Sequence, residues 1–395
     1  MVTQKRPPWA NPRWAGAFFY FGLWAVIGSY APFLNVYLSR LGFSGFQIGL
    51  IAVTFPLMTI VAGPFFSMLA DRRRIQKPVL LLSLGSSAVV LLAFLVVRTF
   101  AGILLLALLR AVLLSPLMPI ADGLVARMAV RHRIDYGKLR LWGSLSFALT
   151  AIGGGAVWDA LGFPAMFITA VVLILPVMAL TLWLETPTAT TDRRAAPPLQ
   201  HLWRDRGLIA LLIAYFLIGI AEGMYGTFSS IQMDTLGGGQ VWVGALFGFS
   251  ALCELPVMQY SSAIFRRLGK PRAILLAYSL VGLSLLGYAL ARAPWLLLGF
   301  AMLKGMGFAL YFVGNVSLID ERAPDAWTST LQSLMNAASR GLAPLLTVPL
   351  AGWFGDALGL PAVFASAGGA ALLAAGVIGA AVIRNNFSDA PLLSE

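Results

Sequence analysis

Charge is what this chain has least of. Asp, Glu, Lys and Arg make up 11% of its 395 residues, against about 25% in an average soluble domain. So few charges cannot coat a water-facing surface, which excludes an ordinary soluble protein of two or three domains. A single cysteine, Cys253, excludes an internal disulfide and a cysteine-built metal site. The only histidines, His132 and His201, lie in charged, loop-like stretches and offer no metal cluster. No metal or other resident cofactor is expected.

The rest of the chain is apolar. Hydrophobic residues reach 59% and the mean hydropathy is +0.83, so most of the outer surface must face a lipid bilayer. The net charge of +12 then records topology rather than nucleic-acid binding. After Lys5, Arg6 and Arg13 the first apolar run spans about 25 residues, too long for a secretory h-region, and no small-residue cleavage site follows. It reads as a first membrane span.

With roughly twenty apolar residues per crossing, the chain divides into twelve spans. They are expected near 14–39, 46–69, 78–97, 101–127, 138–158 and 164–184, then 207–233, 242–265, 271–291, 294–319, 327–354 and 360–383. This is an all-α polytopic protein with two six-helix halves, 1–184 and 207–395, and a polar linker, 185–206, that contains Pro187, Pro197 and Pro198. The N-terminus, the even-numbered loops and the C-terminal tail hold 22 of the 28 Lys and Arg residues, while the opposite loops hold Arg40, Arg98 and Arg292. The positive-inside rule puts both termini and the linker in the cytoplasm.

The two halves repeat each other. Asp159-Ala-Leu-Gly-Phe-Pro-Ala-Met-Phe167 returns as Asp356-Ala-Leu-Gly-Leu-Pro-Ala-Val-Phe364, seven of nine residues identical at an offset of 197. Ala107-Leu-Leu-Arg110 similarly echoes Ala301-Met-Leu-Lys304. A parallel repeat of six helices, meeting at a midplane site, is one architecture of secondary transporters.

Ionised side chains inside spans cost roughly 2.5–3.5 kcal/mol each at the bilayer centre, so they mark function by default. Asp122 and Arg140 lie nine residues either side of Arg131 and should sit level on adjacent helices. Glu222 and Glu254 lie sixteen residues either side of Gly238 and should also sit level, nearer the midplane. Arg110, Lys304 and Arg340 fall about 13–20 Å into their spans. With Arg140 they make four positive charges against three negative. Either these groups lock helices as buried ion pairs, or a carboxylate among them gains and loses a proton as a basic partner leaves and returns. Ion pairs seldom stabilise more than an apolar core would, which favours the second reading. Asp71-Arg72-Arg73-Arg74 is either a topology signal or a cytoplasmic gating loop, through Asp71 and Arg72. Gly153-Gly154-Gly155 is expected to permit close helix approach. The aromatic residues from Phe18 to Tyr37 are mainly packing or lipid-facing, with Tyr30 and Asn35 as candidate cavity contacts.

These features together resemble the major facilitator superfamily over the whole length. Gly28-Ser-Tyr-Ala-Pro32-Phe33 in span 1 is similar to its branch holding lactose permease and the phenylpropionate permeases. Pro64 ahead of Asp71 fits the end of span 2, although Ser67 replaces a usual glycine and Arg266 replaces the equivalent acid in the second half. Ser115-Pro116-Leu-Met-Pro119-Ile-Ala-Asp122 and Asp135-Tyr136-Gly137-Lys138-Leu-Arg140-Leu-Trp142-Gly143-Ser144 resemble phenylpropionate-type permeases more narrowly. The resemblance implies substrate-binding roles for Asp122 and Arg140, a proton-coupling role for Glu254, and acid–base partners in Glu222, Lys304 and Arg340. Phe147 stands where the sugar-stacking tryptophan of lactose permease would fall, and Gly307 and Leu310 replace a histidine and a glutamate. Span 9 also lacks an expected arginine. Galactoside transport is therefore disfavoured, and Arg110 adds a positive charge with no counterpart there.

The expectation is a proton-coupled symporter, not an enzyme, that imports a small organic solute by alternating access, with the proton as coupling ion. An aromatic carboxylate is the first candidate, held by Arg110 or Arg140 with Tyr30, Asp122 and Phe147. A sugar or nucleoside symporter is the alternative, followed by a drug exporter and then a non-transporting receptor or scaffold. The exporter reading is weakened because Gly153-Gly154-Gly155-Ala156 lacks the Gly-Pro pair usual in antiporters of the superfamily. Its partners would be substrate and lipid, with no nucleic acid. It would act as a monomer in the cytoplasmic membrane of a prokaryote.

Overall fold

The computed structural model describes residues 12–134, 136–185, 205–322, 325–385 and 387, and every regular element among them is helical. In chain order the helices are α1 (Pro12–Arg40), α2 (Gly45–Ala52), α3 (Thr54–Arg73), α4 (Gln76–Val96), α5 (Phe100–Leu114), α6 (Leu117–Arg131) and α7 (Tyr136–Trp183). They continue with α8 (Arg206–Thr235), α9 (Gly239–Leu268), α10 (Lys270–Leu290), α11 (Pro294–Arg322), α12 (Asp325–Asn336), α13 (Ala343–Leu358) and α14 (Leu360–Ile383). A π-helical turn, Ala337–Leu342, joins α12 to α13.

Eleven helical stretches among the described residues are long and apolar enough to cross a membrane. The longest, α7, has 48 residues and is broken at Gly162 (φ 78°, ψ 176°), so it supplies two crossings and the total is twelve. Only glycine tolerates that backbone region. Gly359 takes the same conformation (φ 86°, ψ 161°) between α13 and α14. These are the two glycines of the repeated nonapeptide, so the sequence repeat is a repeated turn. Three expected spans are interrupted or modified in ways hydropathy does not register. Span 2 breaks at Val53, span 4 at Ser115–Pro116 where proline lacks the N–H, and span 11 carries the π turn. Most helices also run a few residues past the expected limits, because charged ends such as Arg72 and Arg131 stay helical. The linker expected at 185–206 lies largely outside the described residues.

Side chains cap several helix starts. Ser44 and Gln47 form a reciprocal capping box on α2, and Thr99 accepts from the Gly102 N–H at 3.3 Å. Asp205 accepts from the N–H groups of Gly207 (2.8 Å) and Leu208 (3.0 Å) at the head of α8.

Two compact units result. Among the described residues, the first holds α1, α3 from Leu57 onward, α4 to α7, and the first turns of α9, Gly239–Gly248. Its core is the face of α1 that packs on α7, where Phe19, Tyr20, Leu23, Phe33 and Leu38 are buried. The second unit holds α2 with its flanks (Ser44–Pro56), α8, α9 from Phe249 onward, and α10 to α14. Phe228, Tyr278, Tyr288 and Phe364 fill its interior.

One buried ion pair ties down the second unit. Arg322 at the end of α11 and Asp205 are 7% and 8% exposed and meet at 3.0 Å, and Arg322 also donates to the Phe387 carbonyl at 3.0 Å. Arg322→Met leaves Asp205 buried without its cation and should cost about 3–5 kcal/mol. Adding Asp205→Ser, which removes the charge and keeps a cap, should restore most of it. Thermal unfolding of the two purified variants in detergent checks both results.

Candidate functional site

In the first unit, α1, α6 and α7 bring a carboxylate, a guanidinium and two phenols together. Tyr20 Oη donates to Asp122 Oδ1 at 2.6 Å and lies 3.0 Å from Tyr136 Oη, and Tyr136 Oη reaches the same Asp122 oxygen at 3.3 Å. Arg140 Nη1 approaches Asp122 Oδ2 at 3.9 Å. The level placement expected from the nine-residue spacing is what the structure has. One oxygen of Asp122 is thus occupied by tyrosines while the other faces Arg140, and both partners stay about one third exposed, at 35% and 38%. Two turns further along α7, the half-buried Phe147 packs edge-on against Trp24 of α1, with centroids 6.2 Å apart.

A second basic group sits apart from any acid. Arg110 lies ten residues into α5, roughly 15 Å from its start. It donates through Nε to Ser87 Oγ at 3.1 Å and through Nη2 to Tyr30 Oη, with its guanidinium 4.9 Å from the Tyr30 ring centre. Among the described residues no carboxylate pairs with it. Tyr30 therefore touches Arg110 and is buried.

In the second unit Lys304 of α11 pairs with Glu222 of α8 at 2.8 Å. Lys304 is 6% exposed, and its ammonium lies over two aromatic faces, 4.4 Å from the Tyr225 centroid and 4.8 Å from that of Phe308. Such contacts hold a cation by the ring quadrupole. The other Glu222 oxygen, Oε1, is buried with no partner among the described residues. Glu254 of α9 is half-buried and makes no ion pair there; the nearby charges are Lys304 and Glu222. Arg340 rides on the π turn and lies 5.4 Å from the Phe312 ring centre, without a carboxylate partner among the described residues. Full pairing of the interior charges does not occur, since two pairs form and Arg110, Arg340 and Glu254 stand apart. π turns gather at functional sites because the extra residue re-aims a side chain. Here Gly219 of α8 makes room: a Cβ on it would come within 2.4 Å of the Ser339 carbonyl oxygen.

At the end of α3, Asp71 accepts from the Gln76 side chain at 3.0 Å, and Arg74 closes the turn with a left-handed φ of 55°. Arg72 is exposed beside it. Among the described residues no group of three or more His, Cys, Asp or Glu side chains converges. Tyr20, Ser87, Tyr225 and Phe308 were not singled out from sequence. The signal available for Tyr20 was its four-residue spacing from Trp24, which places both on one face of α1.

The sequence profile of the MFS_1 like family matches residues 13–365. Maltose permease of Geobacillus stearothermophilus is 27% identical over 326 residues, 82% of this chain and 83% of that one. Multidrug resistance protein MdtG of Enterobacter lignolyticus is 27% identical over 299 residues, 71% of this chain and 70% of its own. Among solved structures, the nucleoside transporter NupG superposes with a TM-score of 0.80 at 15% identity, covering 94% of this chain and 99% of its own. A bacterial homologue of the lysosomal transporter Spinster gives 0.66 at 12% identity, covering 97% of each chain. These two likenesses concern the fold alone. With a profile match over most of its length and twelve crossings in a repeated arrangement, the chain belongs to the MFS_1 like family and is a multi-pass membrane transporter of the major facilitator superfamily.

Proposed function

We propose that this transporter is a proton-coupled symporter importing a small organic carboxylate, with an aromatic acid of the phenylpropionate kind as its substrate class. The observation that carries the reading is Arg110, a cation in mid-span whose partners, Tyr30 and Ser87, are neutral. A charge in that position needs an anion, and a substrate carboxylate supplies one. The remaining interior charges fit a proton cycle. Asp122–Arg140 and Glu222–Lys304 neutralise each other, which leaves Glu254 to take up the proton and Glu222, through its unpartnered oxygen, as second in line. Phe147 and Trp24 offer the aromatic surface. Asp71 and Arg72 gate the cytoplasmic side. Both termini face the cytoplasm in a prokaryotic inner membrane, and one chain is the working unit.

A neutral sugar or nucleoside is the second reading. It is favoured by the Asp122 carboxylate with its two tyrosine hydroxyls, a set suited to hydroxyl recognition, and by the likeness to a maltose permease. Uptake into proteoliposomes of radiolabelled 3-phenylpropionate, maltose and uridine, with and without an inward proton gradient, separates the two. Gradient-dependent accumulation of the aromatic acid is expected. Accumulation of maltose or uridine alone would keep proton coupling and discard the carboxylate.

A further inference from the structure

The repeated turn of the two halves carries a carboxylate that the proposed transport cycle leaves unused. In the second unit Asp356, in the last turn of α13, accepts from the first two backbone N–H groups of α2: Gly45 to Oδ1 at 2.6 Å and Phe46 to Oδ2 at 3.0 Å. In the first unit Asp159, its counterpart in the nonapeptide repeat, accepts from the Gln240 N–H at 3.1 Å, in the first turn of α9. Each carboxylate thus sits on the positive end of a helix that comes from the other half of the sequence.

The surrounding backbone repeats as well. Four residues before Asp356, Gly352 lies so close to Gly45 that a Cβ would come within 2.1 Å of its carbonyl oxygen. Four residues before Asp159, Gly155 lies against Gln240 in the same way, at 2.5 Å. Without side chains between them the helices touch backbone to backbone, which brings each aspartate within reach of the N–H groups. Of the Gly153-Gly154-Gly155 run only Gly155 serves this approach: a Cβ on Gly153 would meet nothing within 4 Å, and one on Gly154 would meet Trp158 of its own helix. Both joints lie at the helix ends away from the termini, and transport by alternating access requires that end to open.

We infer that Asp159 and Asp356 are paired latches that hold the membrane face opposite the termini shut, each by binding the start of a helix from the other sequence half. Both must release for that face to open. The two latches therefore act on one equilibrium. This inference rests on the transporter fold and is independent of the substrate and of proton coupling.

Thiol reactivity tests it in purified protein in detergent, with Cys253→Ser as background. Ile48→Cys reports beside Asp356, Val243→Cys reports beside Asp159, and Ala374→Cys reports from the core of α14. The native side chains are 2%, 0% and 0% exposed. Asp159→Asn or Asp356→Asn keeps the shape and removes the charge. Losing charge-assisted bonds of this kind should raise the rate of modification by a water-soluble maleimide roughly 10-fold. The rise should appear at both Ile48→Cys and Val243→Cys with either Asn variant, multiply in the double variant, and leave Ala374→Cys unreactive. Unchanged rates would overturn the inference. So would a rise confined to the reporter beside the altered aspartate, which is fraying of one helix end, or a rise at Ala374→Cys as well, which is loss of the fold.

Discussion

Replacing Glu254 with glutamine should abolish accumulation of substrate while leaving the protein folded and able to exchange substrate across the membrane. Glutamine keeps the size and hydrogen bonding of a protonated glutamate but can neither gain nor lose the proton. In a one-to-one symport of a proton with a monoanion, the two charges cancel and the pH difference alone drives uptake. A step of one pH unit, acidic on the outside, is worth 1.36 kcal/mol and so supports at most about 10-fold accumulation. The variant should reach only the equilibrium level under that step, with counterflow preserved. The assignment follows from isolation: Glu254 makes no ion pair among the described residues, whereas Glu222 is tied to Lys304 at 2.8 Å. Full accumulation by Glu254→Gln would pass the role to Glu222, and Glu222→Gln would then be the variant that fails.

The second large effect is expected at Arg110. Arg110→Gln removes the charge and leaves Tyr30 and Ser87 with a polar neighbour, so the local packing is disturbed little. A carboxylate substrate would lose its counter-ion in a desolvated setting, which costs about 2–5 kcal/mol. That corresponds to a half-saturation concentration higher by at least ~30-fold at 1.4 kcal/mol per decade. A neutral solute should be unaffected, and Arg110→Lys should recover part of the loss. Unchanged affinity of Arg110→Gln for 3-phenylpropionate would remove the arginine from the site and with it the main support for an acidic cargo.

The span count, the repeat and the interior charges could be read from the residue order because each leaves a one-dimensional trace. Apolar runs have a length set by the bilayer, and an ion within one stands out. The level placement of Asp122 and Arg140 could be counted because both descend from one turn at Arg131 along helices of fixed rise. Partners across helices leave no such trace. Tyr20 lies among several aromatic residues of α1, and its hydrogen bond to Asp122 depends on how α1 rolls against α6. Counting charges gave their number and sign but not which of them pair: Arg340 rests on the Phe312 ring rather than on an acid among the described residues. The π turn that places it alters hydrogen bonding without altering hydropathy. The repeated nonapeptide was visible as a repeat, but its aspartates could not be matched to helix starts some 80 and 310 residues away in the chain.

Those distances set an order of assembly. As the chain is inserted from its N-terminus, α7 is complete and Asp159 in place well before Gln240, its donor, is synthesised. The N–H groups of Gly45 and Phe46 wait longer still, until α13 delivers Asp356 near the end of the chain. During that interval α1 to α7 stand with α2 unpaired and a carboxylate without its donor. A break in the 185–206 linker should therefore be tolerated only when both fragments are made together, because neither half contains all the segments of the unit it helps to build.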